Sequence, residues 1–284
     1  MASIAFLGTG LLGAAFAEAA AKRGDTVSAW NRTPDKALAL EQFGVKAAPT
    51  PADAVRAATR VHLVLKDDAV VDDVIAAARA GLAADAVLID HTTTSPVRTA
   101  ERAARLAAQG IHYLHCPVFM GPPAARNAQG SMMVAGPRVL FERVQAELAV
   151  MTTRLQYMGE RADLAAANKL FGNAMIIGVS ALMADILTLA QASGVDPQDA
   201  VKLIGLLDLN AMVGGRGGNM AKGNFAASFE LAMARKDVRL MLETAGDRPL
   251  AALPAIASRM DQLIAQGQGA QDVSVLGIDA VRKP

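Results

Sequence analysis

The chain has 284 residues, and its 28 Lys and Arg set against 27 Asp and Glu give a formal net charge of +1, which excludes the broad positive field that nucleic acid or an anionic membrane surface would require. Apolar residues are 52% of the chain and charged residues 19%, a balance that excludes disorder and supplies core for two domains. The lone cysteine, Cys116, excludes an internal disulfide and a multi-cysteine metal site and fits a reducing compartment.

Residues 1–20 are apolar and end in small side chains, yet they lack the basic start of a signal peptide, and cleavage would remove the best motif in the chain. From there, short β-branched or apolar runs at 3–8, 26–30, 60–65, 86–90, 112–117 and 131–135 predict strands. Ala-rich stretches with helical spacing lie between most of them, at 12–23, 34–43, 69–80 and 95–109. Such alternation predicts a mostly parallel sheet with crossover helices. Past Gly159 the strand signals stop. Residues 163–193 predict one long helix that Asp163 can cap and that Gly194 and Pro197 end. Asp185 within its apolar stretch 175–192 favours a buried or subunit-interface helix over a membrane span. Helices at 197–207, 231–245 and 251–266 follow, with a glycine-rich turn at 214–218. The organisation is therefore an α/β Rossmann domain over 1–161 and an all-α domain over 162–284, joined by the long helix.

Gly8-Thr9-Gly10-Leu11-Leu12-Gly13 follows a strand and opens a helix, the context in which a G-x-G-x-x-G binds a dinucleotide. Gly8 permits the tight turn, Gly10 the approach of a pyrophosphate and Gly13 close helix-to-strand packing, while free amides at the helix start hold the anion. Where the second strand ends, an NAD-specific site places an acid; this chain has Asn31-Arg32-Thr33. Arg32 can pair with a 2′-phosphate and its two neighbours can donate to it, so NADP(H) is the preferred cofactor and NAD(H) a possible one. Leu65, ending the third main strand, joins the cofactor set.

Four stretches together resemble the β-hydroxyacid dehydrogenase family, the 3-hydroxyisobutyrate dehydrogenase-like proteins with their imine reductase relatives. They are the Gly8 to Gly13 turn, Asp90-His91-Thr92-Thr93-Thr94-Ser95-Pro96, Ala167-Asn168-Lys169-Leu170-Phe171-Gly172-Asn173, and Arg235-Lys236-Asp237-Val238. The resemblance implies that Thr93 lies beside the nicotinamide, that Lys169 is the catalytic group, that Asn173 supports the substrate and that Lys236 reaches the cofactor. Lys169 and Asn173, four apart on a helix, share one face, which suits an ammonium that protonates oxygen as a carbonyl is reduced. The family binds a substrate carboxylate with a Ser-Gly-Gly segment. Here Phe119, Met120 and Gly121 occupy that substrate segment, after His115-Cys116-Pro117-Val118, and predict a more apolar pocket.

The expected function is NADP-dependent interconversion of a hydroxy acid and an aldehyde acid, in a cytoplasmic homodimer with a small-molecule substrate, no metal, no nucleic acid and no membrane. Reduction of imines is the alternative chemistry, although those relatives usually carry Asp or Tyr where Lys169 stands. A cofactor-binding interaction module without turnover is the alternative of another class.

Overall fold

A computed structural model describes residues 3–281. The chain divides into two compact units, the first ending at Asn173 and the second beginning at Ala174.

The first unit opens with β1 (Ser3–Leu7), α1 (Leu11–Lys22), β2 (Thr26–Trp30), α2 (Pro34–Leu38), β3 (Lys46–Ala47), α3 (Pro51–Val55), β4 (Arg60–Leu63) and α4 (Asp68–Ala78). It continues with β5 (Val87–Asp90), α5 (Pro96–Ala108), β6 (His112–His115), β7 (Val118–Phe119), α6 (Pro122–Arg126), β8 (Ser131–Ala135), α7 (Arg138–Ala149) and β9 (Arg154–Gly159). The nine strands form one sheet in the order β3-β2-β1-β4-β5-β6-β8-β7, with β9 also on β8. From β3 to β6 every pairing is parallel; β6 and β7 meet β8 antiparallel. Period-two alternation feeds both faces of the sheet. Ile4, Phe6, Val87 and Ile89 join one apolar cluster, and Ala5, Leu7 and Leu88 join the other.

All six strands read from the sequence are present. The strands that the sequence did not reveal are β3, β7 and β9. Two of these are two residues long, too short to show a period, and β9 is partly exposed with Arg154 and Gln156 interrupting its apolar residues. The helix expected over 34–43 splits into α2 and a 3-10 turn, Glu41–Phe43, that ends on Gly44 at φ 85°.

The second unit takes most of α8 (Leu164–Ala192), then α9 (Pro197–Ile204), α10 (Leu209–Met212), α11 (Gly218–Ala221), α12 (Leu231–Ala245), α13 (Leu253–Ala265) and α14 (Ile278–Val281). The glycine-rich segment expected as a turn is instead helical: Val213–Gly217 forms a π-turn continuous with α10 and α11. Leu231, Val238, Met260, Leu263 and Val275 form the core of this unit. At the start of α8, the Asp163 carboxylate is held by the Arg161 guanidinium at 2.6 Å. The 29 residues of α8 are long and apolar enough to cross a membrane by composition, but Asp185 is 1% exposed and fully engaged. Its carboxylate accepts the N–H groups of Ala251, Ala252 and Leu253 at 2.5, 3.0 and 2.8 Å, capping the first turn of α13. Burial raises the Asp185 carboxyl, and these three amides more than offset that, holding it below its ordinary value.

Two histidines occupy the sheet core of the first unit. His91 Nδ1 lies 2.7 Å from the Cys116 carbonyl, which can only accept, so Nδ1 carries the proton and the opposite nitrogen, Nε2, is bare. His62 Nδ1 therefore donates to His91 Nε2 at 2.9 Å. The two rings stack on each other, with Phe6 stacked on His62 and Phe16 against His91. Burial pushes both imidazoles down, His91 to about 4 from an ordinary 6.5.

Because these rings are neutral when folded and take up protons more readily when unfolded, they contribute stability above pH 6.5 that is lost as pH falls toward 4. The urea midpoint is expected to drop between pH 7 and pH 5, and His62→Phe is expected to flatten that slope; a midpoint independent of pH in the wild type contradicts this reading. Asp185→Ala strands three amides and is expected to cost about 2–4 kcal/mol in urea unfolding followed by helical circular dichroism.

Candidate functional site

Parallel strands carry their C-terminal ends to a common edge, and the order reverses between β1 and β4, which opens a crevice there. A cleft of about 570 Å³ occupies it, lined by Gly8 and Gly10 after β1, Trp30 at the end of β2 with Asn31 to Thr33 after it, Val64 to Lys66 after β4, and side chains from α4.

The three motif glycines have three different reasons to be glycine. Gly8 has φ 98°, and a Cβ there would overlap the Val64 carbonyl oxygen. At Gly13 a Cβ would overlap the Gly8 carbonyl, so this residue sets how closely α1 lies on the turn. A Cβ on Gly10 would meet nothing of the protein within 4 Å; the space it keeps clear belongs to the cleft. No side chain caps the first turn of α1 and no acidic residue stands in it, which leaves the amides of Leu11, Leu12 and Gly13 for an anion. Thr9 Oγ1 inside the turn is buried without a hydrogen-bond partner. These features fit a dinucleotide pyrophosphate.

Asn31 braces the turn: its Oδ1 accepts from Thr9 N at 3.0 Å and its Nδ2 donates to the Thr33 carbonyl at 3.0 Å. Arg32 and Thr33 are exposed and line the cleft together with Lys36. Lys36 was not singled out from the sequence, although its place one turn after Arg32, on α2, was a usable sign. Trp30, the one tryptophan of the chain, also lines the cleft.

The loop after β5 is fastened at nearly every residue. Thr92 N donates to Asp90 Oδ1 at 2.9 Å, Leu65 N donates to Thr92 Oγ1 at 3.1 Å, and Ser95 N donates to Asp68 Oδ2 at 2.9 Å. Thr94 and Thr99 hydroxyls share a bond of 2.7 Å. Thr92 and Thr94 are buried and Thr93 alone of the three is exposed. Underneath, the Asp90 carboxylate is fully buried and accepts from Tyr113 Oη at 2.8 Å. Burial raises its pKa, but His115 and the hydrogen bonds of Thr92 outweigh that and hold Asp90 ionised. Arg102, also fully buried, binds Asp68 and Asp72 at 2.8 Å each and so ties α5 to α4. His115 thus has a structural place in this network. The sequence did not show the pairings that join separate elements, because their partners lie 21–34 residues apart.

The segment after β6 completes the edge. Lys169, on the first turns of α8, donates from Nζ to the Val118 carbonyl at 2.8 Å and lies 4.1 Å from the centroid of the Phe119 ring. Burial of its ammonium lowers the Lys169 pKa. Asn173 follows one turn later, and Met120 is half-buried with Gly121 exposed beside it. Lys236 lies on α12 of the second unit, where Nζ pairs with Asp237 at 2.9 Å. Among the described residues, no group of three or more His, Cys, Asp and Glu is arranged to hold a metal ion.

Residues 3–159 match the NAD binding domain of 6-phosphogluconate dehydrogenase, and residues 164–277 match the NAD-binding domain of NADP-dependent 3-hydroxyisobutyrate dehydrogenase. An uncharacterized oxidoreductase of Shewanella frigidimarina (strain NCIMB 400) is 29% identical, over 94% of this chain and 93% of its own. Glyoxylate/succinic semialdehyde reductase 2, chloroplastic, of Arabidopsis thaliana is 28% identical over 84% of this chain and 68% of its own. Among solved structures, an imine reductase from Pseudomonas sp. superposes with a TM-score of 0.87 at 20% identity, covering 97% of this chain and 98% of that one. That likeness speaks to fold. With a nucleotide-binding family match across more than half of its length, the chain belongs to the NAD(P)-binding oxidoreductases of the 6-phosphogluconate and 3-hydroxyisobutyrate dehydrogenase family.

Proposed function

We propose that the protein reduces aldehydes to alcohols, and runs the reverse oxidation, with NADP(H) as cofactor and Lys169 as the proton donor and acceptor. The observation that carries this reading is the Lys169 ammonium, half-buried and fastened to the Val118 carbonyl at 2.8 Å, on the segment that follows the β6 strand end. When bound, the reduced nicotinamide supplies hydride to the carbonyl carbon. Negative charge then grows on the oxygen, where Lys169 Nζ stabilises it and gives up a proton; Asn173, on the same face, orients the substrate. Thr93, the exposed threonine of a fastened loop, would lie beside the nicotinamide. Lowering of the Lys169 pKa by burial makes it a readier donor than a solvated lysine.

Arg32 and Lys36 support the NADP(H) preference, since the adenosine end of the cleft offers two cations and Thr33 but no acid at the end of β2. The domain boundary falls at 161/162, with the NADP-binding Rossmann domain before it, which also lends the substrate segment Phe119 to Gly121, and the helical domain of substrate binding and dimerisation after it. A homodimer is part of the reading. Phe171 and Ile177 on α8 are 66% and 68% exposed, and Leu206 in the segment that follows α9 is 80% exposed, apolar surface of the kind that association covers. The reduced, buried Cys116 accords with a soluble cytoplasmic enzyme.

Lys169→Ala is expected to lower kcat for reduction by about 10²- to 10⁴-fold while NADPH binding holds. Since Lys169 must be protonated to donate, reduction is expected to fall as pH rises through a value below 10.5, and this alkaline limb is expected to vanish in the variant. A panel of glyoxylate, succinic semialdehyde, uncharged aldehydes and cyclic imines, followed by NADPH absorbance, identifies the substrate. Turnover of imines alone, indifferent to Lys169, transfers the assignment to imine reduction; cofactor binding without any turnover transfers it to a non-catalytic module. Quenching of Trp30 reports cofactor binding directly. Arg32→Ala is expected to weaken NADPH about 10- to 100-fold and leave NADH nearly unchanged.

A further inference from the structure

Phe119 and Gly172 are matched to each other in a way that the steps above do not use. Phe119 ends β7, and Gly172 stands one turn beyond Lys169 on α8. A Cβ on Gly172 would overlap Cζ at the tip of the Phe119 ring. In this position the ring tip meets α8 where residue 172 has no side chain, and any larger residue would have to displace it. From that seat it turns its face to Lys169 Nζ, 4.1 Å from the centroid, while the adjoining Val118 carbonyl takes a hydrogen bond from the same nitrogen. Behind the ring are Met133, Ala135 and Ala165, with Met158 and Leu164 packed on them. The far side of the segment is fixed as well: Gly130 has φ 95°, and a Cβ there would come within 2.7 Å of the Phe119 carbonyl oxygen.

An ammonium has three N–H donors. One is taken by the Val118 carbonyl, a second is covered by the π face, and the third is left for a substrate oxygen. The side chain packed against the ammonium is Phe119, and neither it nor the following Met120, which stand where the family pattern has hydroxylic and small residues, can hydrogen-bond a carboxylate. A carboxylate set against the Phe119 ring loses water without gaining a hydroxyl in exchange, whereas an apolar substituent gains contact there.

We propose that Phe119 is a positioning and specificity-determining residue: seated on Gly172, its ring holds the Lys169 ammonium in place and makes the adjoining wall apolar, selecting uncharged carbonyl compounds with an apolar or aromatic substituent over short carboxylate-bearing aldehydes. The inference rests on Lys169 being the proton donor.

The test uses the full chain with NADPH, phenylacetaldehyde and succinic semialdehyde as probes, and the variants Phe119→Ser, Phe119→Leu, Phe119→Ala, Gly172→Ala and the Phe119→Ala/Gly172→Ala pair. The wild type is expected to prefer phenylacetaldehyde, and Phe119→Ser to move the ratio of kcat/KM toward succinic semialdehyde by about tenfold or more. Phe119→Leu keeps an apolar wall without a ring face, so it is expected to keep the ratio while kcat falls and KM holds. Gly172→Ala is expected to lower both the melting temperature and kcat in the wild type, yet cost little in the Phe119→Ala background, where the clash is gone. A wild-type preference for succinic semialdehyde, a ratio that Phe119→Ser moves by less than about twofold, or a Gly172→Ala cost that is equal in both backgrounds overturns the proposal. Lys169→Ala run alongside separates the two readings: full turnover without the lysine removes its role, and lysine-dependent turnover with an unmoved ratio removes only that of Phe119.

Discussion

How closely α1 lies on the end of β1 governs the working edge of the first unit. The Gly8 carbonyl occupies space that any side chain at residue 13 would need, and the Val64 carbonyl crowds Gly8 in the same way. Three pieces of main chain are thus brought into contact where larger residues would hold them apart. The amides at the start of α1 consequently open on the cleft, and Leu65, next to Val64, is placed to bond the Thr92 hydroxyl. From there the constraint passes to the Thr93 loop through Asp90, and to α4 and α5 through Asp68, Asp72 and Arg102. A change in helix-to-strand spacing would be felt through this whole set, because each bond leaves little slack in a buried setting.

The two ends of the edge are built on different physics. At the nucleotide turn, backbone groups do the work, and the side chains around them are small or act as braces, as Asn31 does between Thr9 and Thr33. Around Lys169 the grip comes from one carbonyl and one aromatic face. The first arrangement suits an anion whose shape does not change in the reaction. The second suits a proton that must leave, since neither a carbonyl nor a ring face holds an ammonium as firmly as a carboxylate would.

Much of this was legible in the sequence wherever the information is local. The strand-turn-helix around Gly8, the change from period two to helical spacing near Gly159, the acid-free end of β2 and the one-turn spacing of Lys169 and Asn173 all lie within short windows. The Asp90, Tyr113 and Arg102 network was invisible because it joins residues from three elements that are adjacent only after the sheet forms. Phe119 and Met120 could be seen to depart from the family pattern, but the seat on Gly172, 53 residues away, could not. The glycine-rich stretch from Gly214 misled for an opposite reason: its composition favours a turn, while Leu209–Met212 and Gly218–Ala221 on either side carry the helix through it.

Cys116 sits at 0% exposure, with its carbonyl taken by His91 and its thiol pushed well above the ordinary range by burial and by the Asp90 charge. A thiol that is neither accessible nor ionised does not react. As the chain has no other cysteine, the folded protein presents no sulfhydryl to alkylating reagents or disulfide partners. Any labelling that does occur then counts molecules whose sheet has opened, so the rate of modification becomes a clock for unfolding of the first unit that needs no cofactor, substrate or optical signal to be read.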